Sequence, residues 1–242
     1  MRSRLIYRPD DYGIVSIPWA ALWIADVGVA TSGSNVTSWT DQINSYVVTA
    51  GNQPTLSTAS FGGRNAIKFA RASTQSLINT TTSALYSLAN GVNPNLTIVW
   101  QAIASTTPNT AVPWFFGGIS GASANRLDIG DNGSATQLQL RDSGSSGSGT
   151  QTYTGLSSNT ANSHVFAMVL AGQTQTLYQD NVAAAAVGAI NATSRTAACF
   201  TIGAFSNTGT FAYDGYIRRV GIISGAATRA QLDQIYLNFA SR

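Results

Sequence analysis

The sequence predicts an all-β protein of antiparallel strands, closed by a short C-terminal helix. Runs of β-branched and aromatic residues recur from Ile67 onward between Gly, Asn, Ser and Pro, a spacing typical of a sandwich. The 242 residues include no glutamate, one lysine and 23 glycines, a composition that favours sheets and turns. A single amphipathic helical pattern ends the chain.

Five runs read as strands, and two of them form a predicted hairpin. The runs are Thr97–Ile103, Val165–Leu170, Thr174–Gln179, Phe200–Gly203 and Tyr216–Ile223. A Gly-bearing loop, Ala171-Gly172-Gln173, joins the second run to the third, and Asp180-Asn181 supplies the next turn. Consecutive strands are therefore expected to be antiparallel.

Two segments have helical patterns. Ser83 to Ala89 predicts a short helix closed by Asn90-Gly91. Near the C-terminus, Thr228 can cap a helix while Gln231 reciprocates. An apolar stripe at i, i+3, i+4 and i+7 follows: Leu232, Ile235, Tyr236 and Phe239. We expect this helix to cover an edge or an open end of the sandwich.

The chain is predicted to be one domain, residues 19–242, preceded by an extended arm, residues 1–18. The arm is either a terminal edge strand of the same domain or a strap onto a neighbouring subunit, which would make a homo-oligomer. The tract from Ser143 to Gly149 is low in complexity. A long surface loop is favoured there over a linker between two domains.

Charge is sparse, at 10% of residues with a formal net charge of +3. The arginines are scattered, so nucleic-acid binding is not expected. The first residues are basic but lack the apolar stretch of a signal peptide. No apolar run approaches the roughly 20 residues that cross a bilayer. We therefore expect no export signal and no membrane insertion.

Side chains that do catalysis are few. His164 is the sole histidine and precedes a predicted strand, so a strand-end role is favoured over a catalytic triad. Cys199 stands in an apolar run and is expected to be buried and inert. No Gly-x-Ser-x-Gly elbow precedes a helix. The sequence therefore predicts a protein that is not an enzyme.

Several segments, taken in order, resemble laminin-G-like, concanavalin A-like jelly rolls. They are Ala21–Asp26, Gly33–Asp41, Asn52–Thr55, Gly63–Phe69, Leu177–Asn181, Thr201–Gly203, Asp214–Ile217 and Val220–Ile223, with the capped helix. The resemblance covers roughly residues 20 to 240 and implies two packed antiparallel sheets, the fold of concanavalin A-like lectins and glucanases. Independently, Trp23 and Trp39 are expected in the core, and Asp41 is expected to close a turn by accepting backbone N–H groups.

Glucanases of this sandwich resemble one another in carrying paired glutamates about a central aspartate on one strand. Retaining hydrolysis needs two carboxyl groups roughly 5 Å apart. The acidic strand motif is absent from this sequence, so hydrolysis of that type is not expected.

Two candidate sites remain. Glycan binding uses exposed aromatic rings beside amides and carboxylates, which Trp114 and Tyr213 with Asp214 could supply unless they are buried. Calcium prefers oxygen ligands, and Asp128, Asp131 and Asn132 lie close together near a turn, although Asp-Asn-Gly is first a turn signal.

Modules of this resemblance that start with an extended arm look like bacteriophage virion proteins, such as head decorations, head fibres or tail-fibre parts. The leading expectation is a non-enzymatic structural or adhesion protein on the virion surface, associated with capsid or tail proteins. The alternative is a carbohydrate-binding lectin module that recognises host cell-surface polysaccharide.

Overall fold

The structure is a computed structural model of the chain. It describes residues 16–92, 94–104, 113–117, 125–131, 137–144, 147–156, 162–187, 194–205 and 211–240. The predicted arm therefore lies almost wholly outside the described residues. Its last described part, from Ser16 to Pro18, leads directly into the first strand.

Strands dominate the described residues. The first ten are β1 (Trp19–Ile24), β2 (Val29–Ser32), β3 (Asn35–Thr40), β4 (Val47–Ala50), β5 (Thr55–Phe61), β6 (Arg64–Phe69), β7 (Leu77–Asn79), β8 (Gly91–Val92), β9 (Leu96–Ala104) and β10 (Trp114–Gly117). The others are β11 (Arg126–Asp131), β12 (Gln137–Gly144), β13 (Gly147–Thr154), β14 (His164–Ala171), β15 (Thr174–Gln179), β16 (Val182–Ala183), β17 (Ala185–Val187), β18 (Ser194–Arg195), β19 (Cys199–Ile202) and β20 (Gly215–Ser224). All five strands predicted above are confirmed to within about two residues at each end.

Helices are short, and both lie where the sequence predicts them. They are α1 (Ser83–Tyr86), which a 3-10 turn extends to Ala89, and α2 (Arg229–Ala240). Within the described residues no helix is long and apolar enough to cross a membrane.

Hydrogen bonds join 18 of the described strands into one antiparallel sheet. We call β1, β5, β6, β9, β14, β15, β16 and β20 the front wall, and β2, β3, β4, β7, β10, β11, β12, β13, β17 and β19 the back wall. β20 pairs with β9 on one side and with β1 and β6 on the other. The Asn35–Thr55 pair of β3 and β5 joins the two walls.

The prediction of two separate sheets is corrected by this pairing. Because β3 bonds to β4 on the back wall and also to β5 on the front wall, the sheet is continuous and nearly closed, like a barrel. The jelly-roll arrangement that the resemblance implies is not confirmed.

The main core fills the space between the walls. Trp23 and Trp39 have no exposed surface, as predicted. The Trp100 ring of the front wall meets the Trp114 ring of the back wall edge to face, with 5.9 Å between centroids. Trp23 stacks on Phe200 at 5.4 Å. These aromatic contacts hold the two walls together, since large rings bury the most apolar area per residue.

Helix α2 covers the outer face of the front wall. The sequence predicts instead that it covers an edge or an open end. Its buried stripe packs on side chains of β1, β9, β14 and β20: Leu22, Val99, Val165 and Ile223 against Leu232, Ile235 and Phe239. The predicted capping box forms, because the Thr228 N–H donates to Gln231 Oε1 at 2.9 Å and the Gln231 N–H donates to Thr228 Oγ1 at 3.3 Å.

The low-complexity tract belongs to a hairpin, and the prediction of a long loop is wrong. β12 and β13 pair from Gln137 with Thr154 to Gly144 with Gly147. Ser143 is 5% exposed, and next to it Asp142 forms an ion pair with buried Arg195. The composition of the tract predicts a flexible segment. The buried ion pair between Asp142 and Arg195, which are far apart in sequence, instead fixes this strand in the wall.

Candidate functional site

A polar cleft of about 600 Å³ opens beside α2 on the outer face of the front wall. β9 contributes Gln101 and Ile103, which alternate with the core residues Trp100 and Ala102. The rest of the lining comes from the β5–β6 turn, the start of β14, the turn after β15, β20 and the last turns of α2: Ser60, Phe61, Gly62, Arg64, Asn162, Ser163, Val165, Asp180, Arg218, Tyr236 and Ala240.

A β-bulge in β20 brings Arg218 into this cleft. Opposite β9, the register shifts between Ile217 and Arg219, so Arg218 is the extra residue. Ile217 and Val220 both belong to the main core. Regular alternation would send one of them outward. The bulge instead keeps both in the core and leaves two successive arginines outside it, in line with the tendency of bulges to re-aim side chains.

The Arg218 guanidinium is held rigidly. It is 2% exposed, and its Nη2 donates to Asp26 Oδ2 at 3.1 Å while its Nη1 donates to Gln101 Oε1 at 3.3 Å. Gln101 Nε2 in turn donates to Ser163 Oγ at 3.2 Å. A fixed positive charge and a linked amide and hydroxyl therefore form the buried part of the cleft.

Asp180 supplies the acidic group of the cleft, and it pairs with His164. Asp180 and Asn181 have φ of 48° and 67°, as a tight hairpin turn requires. Asp180 Oδ2 lies 2.5 Å from His164 Nδ1, and Asp180 Oδ1 accepts the Val165 N–H at 3.0 Å. His164 is the first residue of β14, so the predicted strand-end position is confirmed.

Arg64 lies beside the cleft at the end of the tight β5–β6 turn. Gly62 and Gly63 have φ of 57° and 92°, values that glycine adopts without strain. The Arg64 side chain is exposed and makes no hydrogen bond or ion pair with any residue that the structure describes. Phe61 and half-buried Tyr236 place aromatic surface in the same cleft.

This set of groups suits hydrogen bonding to a sugar. Guanidinium, amide and carboxylate groups are planar and can bond to adjacent hydroxyls, while aromatic rings pack on the apolar face of a sugar ring. Asp180 is the single carboxylate among the described lining residues.

The aromatic residues predicted for glycan binding lie elsewhere. Trp114 has no exposed surface and Tyr213 is 7% exposed; the Tyr213 ring packs edge to face on Phe69 at 6.5 Å. Asp214, which is half-buried, does not line the cleft. The expectation of an exposed stacking face at Trp114 and Tyr213 is wrong, because both rings serve the core, which was the alternative interpretation.

The structure also bears on the predicted calcium site. Asp128 is fully buried, and its Oδ1 lies 2.6 Å from Arg141 Nη2 and 2.7 Å from Arg141 Nε. Arg126 Nε is 3.6 Å from Asp128 Oδ2. The guanidinium groups of Arg126 and Arg141 thus occupy the positions at which a metal cation would contact Asp128. Asp131 ends β11, and Asn132 lies outside the described residues. In the described part of the chain, no three His, Cys, Asp or Glu side chains come together as a metal site requires.

Sequence reasoning missed the cleft, although one signal was present. Arg218-Arg219 interrupts an otherwise apolar strand, and charged residues are rarely buried unless they are paired. Gly62-Gly63 before Arg64 marked a tight turn. Nothing local connected these positions with Asp180 or Gln101.

Comparison with protein-family models and with curated proteins finds no match. Solved structures do match. Domain 4 of AbnA, a GH43 extracellular arabinanase from Geobacillus stearothermophilus, in complex with arabinotriose, aligns with a TM-score of 0.64 at 14% identity, over 90% of this chain and 98% of that chain. This chain shares its fold.

Two further structures extend the likeness. Trypanosoma rangeli sialidase in complex with the inhibitor DANA aligns at 13% identity with a TM-score of 0.59, over 93% of this chain but only 33% of the sialidase. The CBM40 of Ruminococcus gnavus IT-sialidase bound to alpha2,3 sialyllactose aligns at 13% identity with a TM-score of 0.51, over 63% of this chain and 86% of that chain. The fold therefore occurs in separate domains of larger glycosidases and in a sugar-bound module.

Proposed function

We propose that this protein binds carbohydrate in the cleft beside α2. The observation that carries the proposal is the bulge at Arg218, which places a fixed guanidinium next to Gln101 and Ser163 in an open polar cleft. The shared fold with an arabinotriose-bound domain and a sialyllactose-bound module supports it. The glycan-binding alternative drawn from the sequence thus becomes the leading function, with a different set of residues.

We further propose that binding occurs without turnover. Glycoside hydrolysis by paired carboxyl groups needs two of them roughly 5 to 9.5 Å apart. The described lining residues offer Asp180 alone, and both of its oxygens already have partners within the protein. Incubating the protein with any oligosaccharide that it binds, followed by chromatography of the sugar, should recover that sugar intact.

The test is a glycan array followed by calorimetry on the strongest ligand. Tyr236→Ala should weaken binding about tenfold or more, because aromatic residues often dominate binding energy. Tyr86→Ala is the matched control, since Tyr86 is also half-buried but does not line the cleft. Circular dichroism would verify that both variants fold.

A third variant separates the cleft from the site predicted by sequence. Asp214→Ala should leave affinity unchanged if the cleft binds the sugar. Loss of affinity in Asp214→Ala together with normal affinity in Tyr236→Ala would refute the cleft as the site.

A place on a virion surface, with capsid or tail proteins as partners, is a separate proposal that rests on the jelly-roll resemblance, the extended arm and the composition of the sequence. Mass spectrometry of purified bacteriophage particles tests it: detection of this chain at stoichiometric levels would support it, and absence from the particles would refute it.

A further inference from the structure

The charged groups of the cleft differ in the hydrogen-bonding capacity that they retain for a ligand. Three charged residues line it: Arg64, Arg218 and Asp180. Asp26 approaches from behind as the partner of Arg218. The ligand class that fits depends on which of these groups still has hydrogen-bonding capacity directed at the open space.

Both carboxylates are already engaged on both oxygens. Asp180 accepts from the Val165 N–H and pairs with His164. Asp26 Oδ1 accepts the Asn65 N–H at 3.0 Å, and its Oδ2 accepts from Arg218. A carboxylate has about four lone-pair sites, so these internal contacts reduce, on each acidic group, the capacity left for a ligand that mainly donates hydrogen bonds, such as a neutral polyol.

The two arginines retain more hydrogen-bonding capacity than the two carboxylates. Arg64 is exposed, sits beside the cleft and has no hydrogen-bonding or ionic partner among the described residues. A guanidinium carries five N–H donors in a planar fork that matches two oxygens of an oxyanion. Arg218 adds a second guanidinium, which burial and its ion pair with Asp26 keep in place. The Asp26 carboxylate offsets part of this charge, but buried charges are screened less by water and salt than exposed ones.

We infer that the cleft selects an acidic glycan, in which a carboxylate or sulfate group on one sugar pairs with Arg64 in the field of Arg218. This inference rests on the proposed function and narrows it from carbohydrate in general to anionic carbohydrate. In the bound state the anion accepts two parallel N–H bonds from Arg64, and the remaining hydroxyls of the glycan meet Gln101 and Ser163. Such charge-assisted pairs are the strong class of hydrogen bond.

The test compares trisaccharides of similar size that differ in charge. Trigalacturonate, its methyl ester, galactotriose and a sulfated galactotriose are titrated by calorimetry at low and high sodium chloride. We expect the charged sugars to bind at least about tenfold more tightly than their neutral counterparts. The difference in affinity between charged and neutral sugars should decrease at high salt, because dissolved ions screen the exposed charge of Arg64. The carboxylated and sulfated arms show which anion is preferred.

Arg64→Gln should remove most of the preference for charged sugars, measured as the ratio of the affinities for matched charged and neutral sugars. Arg64→Lys should recover part of it, because the charge returns without the planar fork. Arg71→Gln is the control, since it removes one positive charge from a residue that does not line the cleft. Arg64 is exposed, so its substitution should not affect folding.

The outcomes separate the two proposals. Equal affinity for neutral and charged sugars, or an unchanged preference in Arg64→Gln, would overturn the acidic-glycan inference while carbohydrate binding stands. A preference that falls as much in Arg71→Gln as in Arg64→Gln would also overturn it, because the effect would then be one of net charge. If no sugar binds on these titrations or on a wider array of neutral and acidic glycans, both proposals fail.

Discussion

The indole N–H groups of Trp23 and Trp39 each donate to the backbone of the other's strand. The indole N–H of Trp23 donates to the backbone oxygen of Trp39 at 3.2 Å, and the indole N–H of Trp39 donates to the backbone oxygen of Ile24 at 3.1 Å. Each buried donor therefore has a partner, which a tryptophan in a core requires. The pair fixes β1 of the front wall to β3 of the back wall.

Replacing Trp39 with Phe should destabilise the fold by about 2 kcal/mol, because the smaller ring leaves a cavity and the indole bond is lost. Urea denaturation measures the change. Trp19→Phe is the matched control: Trp19 is partly exposed, stacks on Phe239 at 6.2 Å and lies against Gly221, so its replacement should cost less. Equal losses in the free energy of unfolding would contradict a stabilising role for the indole hydrogen bonds of Trp23 and Trp39.

Asp41 closes the turn after β3, as the sequence predicts. It is 2% exposed, and its carboxylate accepts the N–H groups of Ile43 at 2.7 Å and Asn44 at 3.0 Å, along with that of Tyr46. Asp41→Ala should cost about 1–3 kcal/mol, since three part-buried backbone hydrogen bonds to a charged acceptor are lost.

Asp233→Ala provides the comparison for Asp41. Asp233 forms an exposed ion pair with Arg229 on α2 and accepts one hydrogen bond from Asn181 Nδ2 at 2.7 Å. An exposed ion pair contributes about 1 kcal/mol or less, so we expect Asp233→Ala to cost less than Asp41→Ala. Thermal or urea unfolding that ranks Asp233→Ala as the more harmful change would show that the turn depends on something other than the Asp41 carboxylate.

The capping box at α2 makes a further prediction. Thr228→Ala should lower the free energy of unfolding by about 0.5–2 kcal/mol, because the first helical N–H groups lose their acceptor. Thr31→Ala, in an exposed strand position, should change stability little. Hydrogen exchange at the start of α2 should accelerate in Thr228→Ala; unaltered protection there would argue against the cap.

Cys199 should be unreactive in the folded protein. It has no exposed surface, and burial raises the pKa of its thiol to about 11, from an ordinary 9.0. A disulfide reagent at about pH 8 should therefore label it slowly, and should label it rapidly once guanidinium chloride unfolds the chain. Equally fast labelling of the folded protein would contradict this burial.

The same shift in the Cys199 pKa links stability to pH. The unfolded chain releases the thiol proton at a lower pH than the folded chain does, so the folded state binds more protons between these two pKa values. Stability should therefore decline as the pH rises from 9.0 toward about 11. Cys199→Ala should reduce that decline.

Local features were predictable because their causes are local. The Thr228 capping box and the Asp180-Asn181 turn each depend on residues within a few positions of one another. Trp23 and Trp39 were predictable as core residues because their size and apolar surroundings favour burial.

The cleft was not predictable, because its groups come from positions such as 64, 101, 180, 218 and 236, which only the closed sheet brings together. Tertiary packing likewise explains the errors. Trp114 faces Trp100 across the walls, and Asp128 is enclosed by two arginines, contacts that no local pattern reveals.

The bulge in β20 has one more consequence. Ile217 pairs with Ala102, and Arg219 pairs with the adjacent Gln101, so the strand holds one residue more than its ladder requires. Arg218 is nevertheless tied into the wall: its backbone oxygen accepts the Ala25 N–H at 2.9 Å just after β1, and its guanidinium pairs with Asp26. The irregularity that brings a charge into the cleft therefore also anchors the neighbouring strand, so any change at this position affects the wall as well as the cleft.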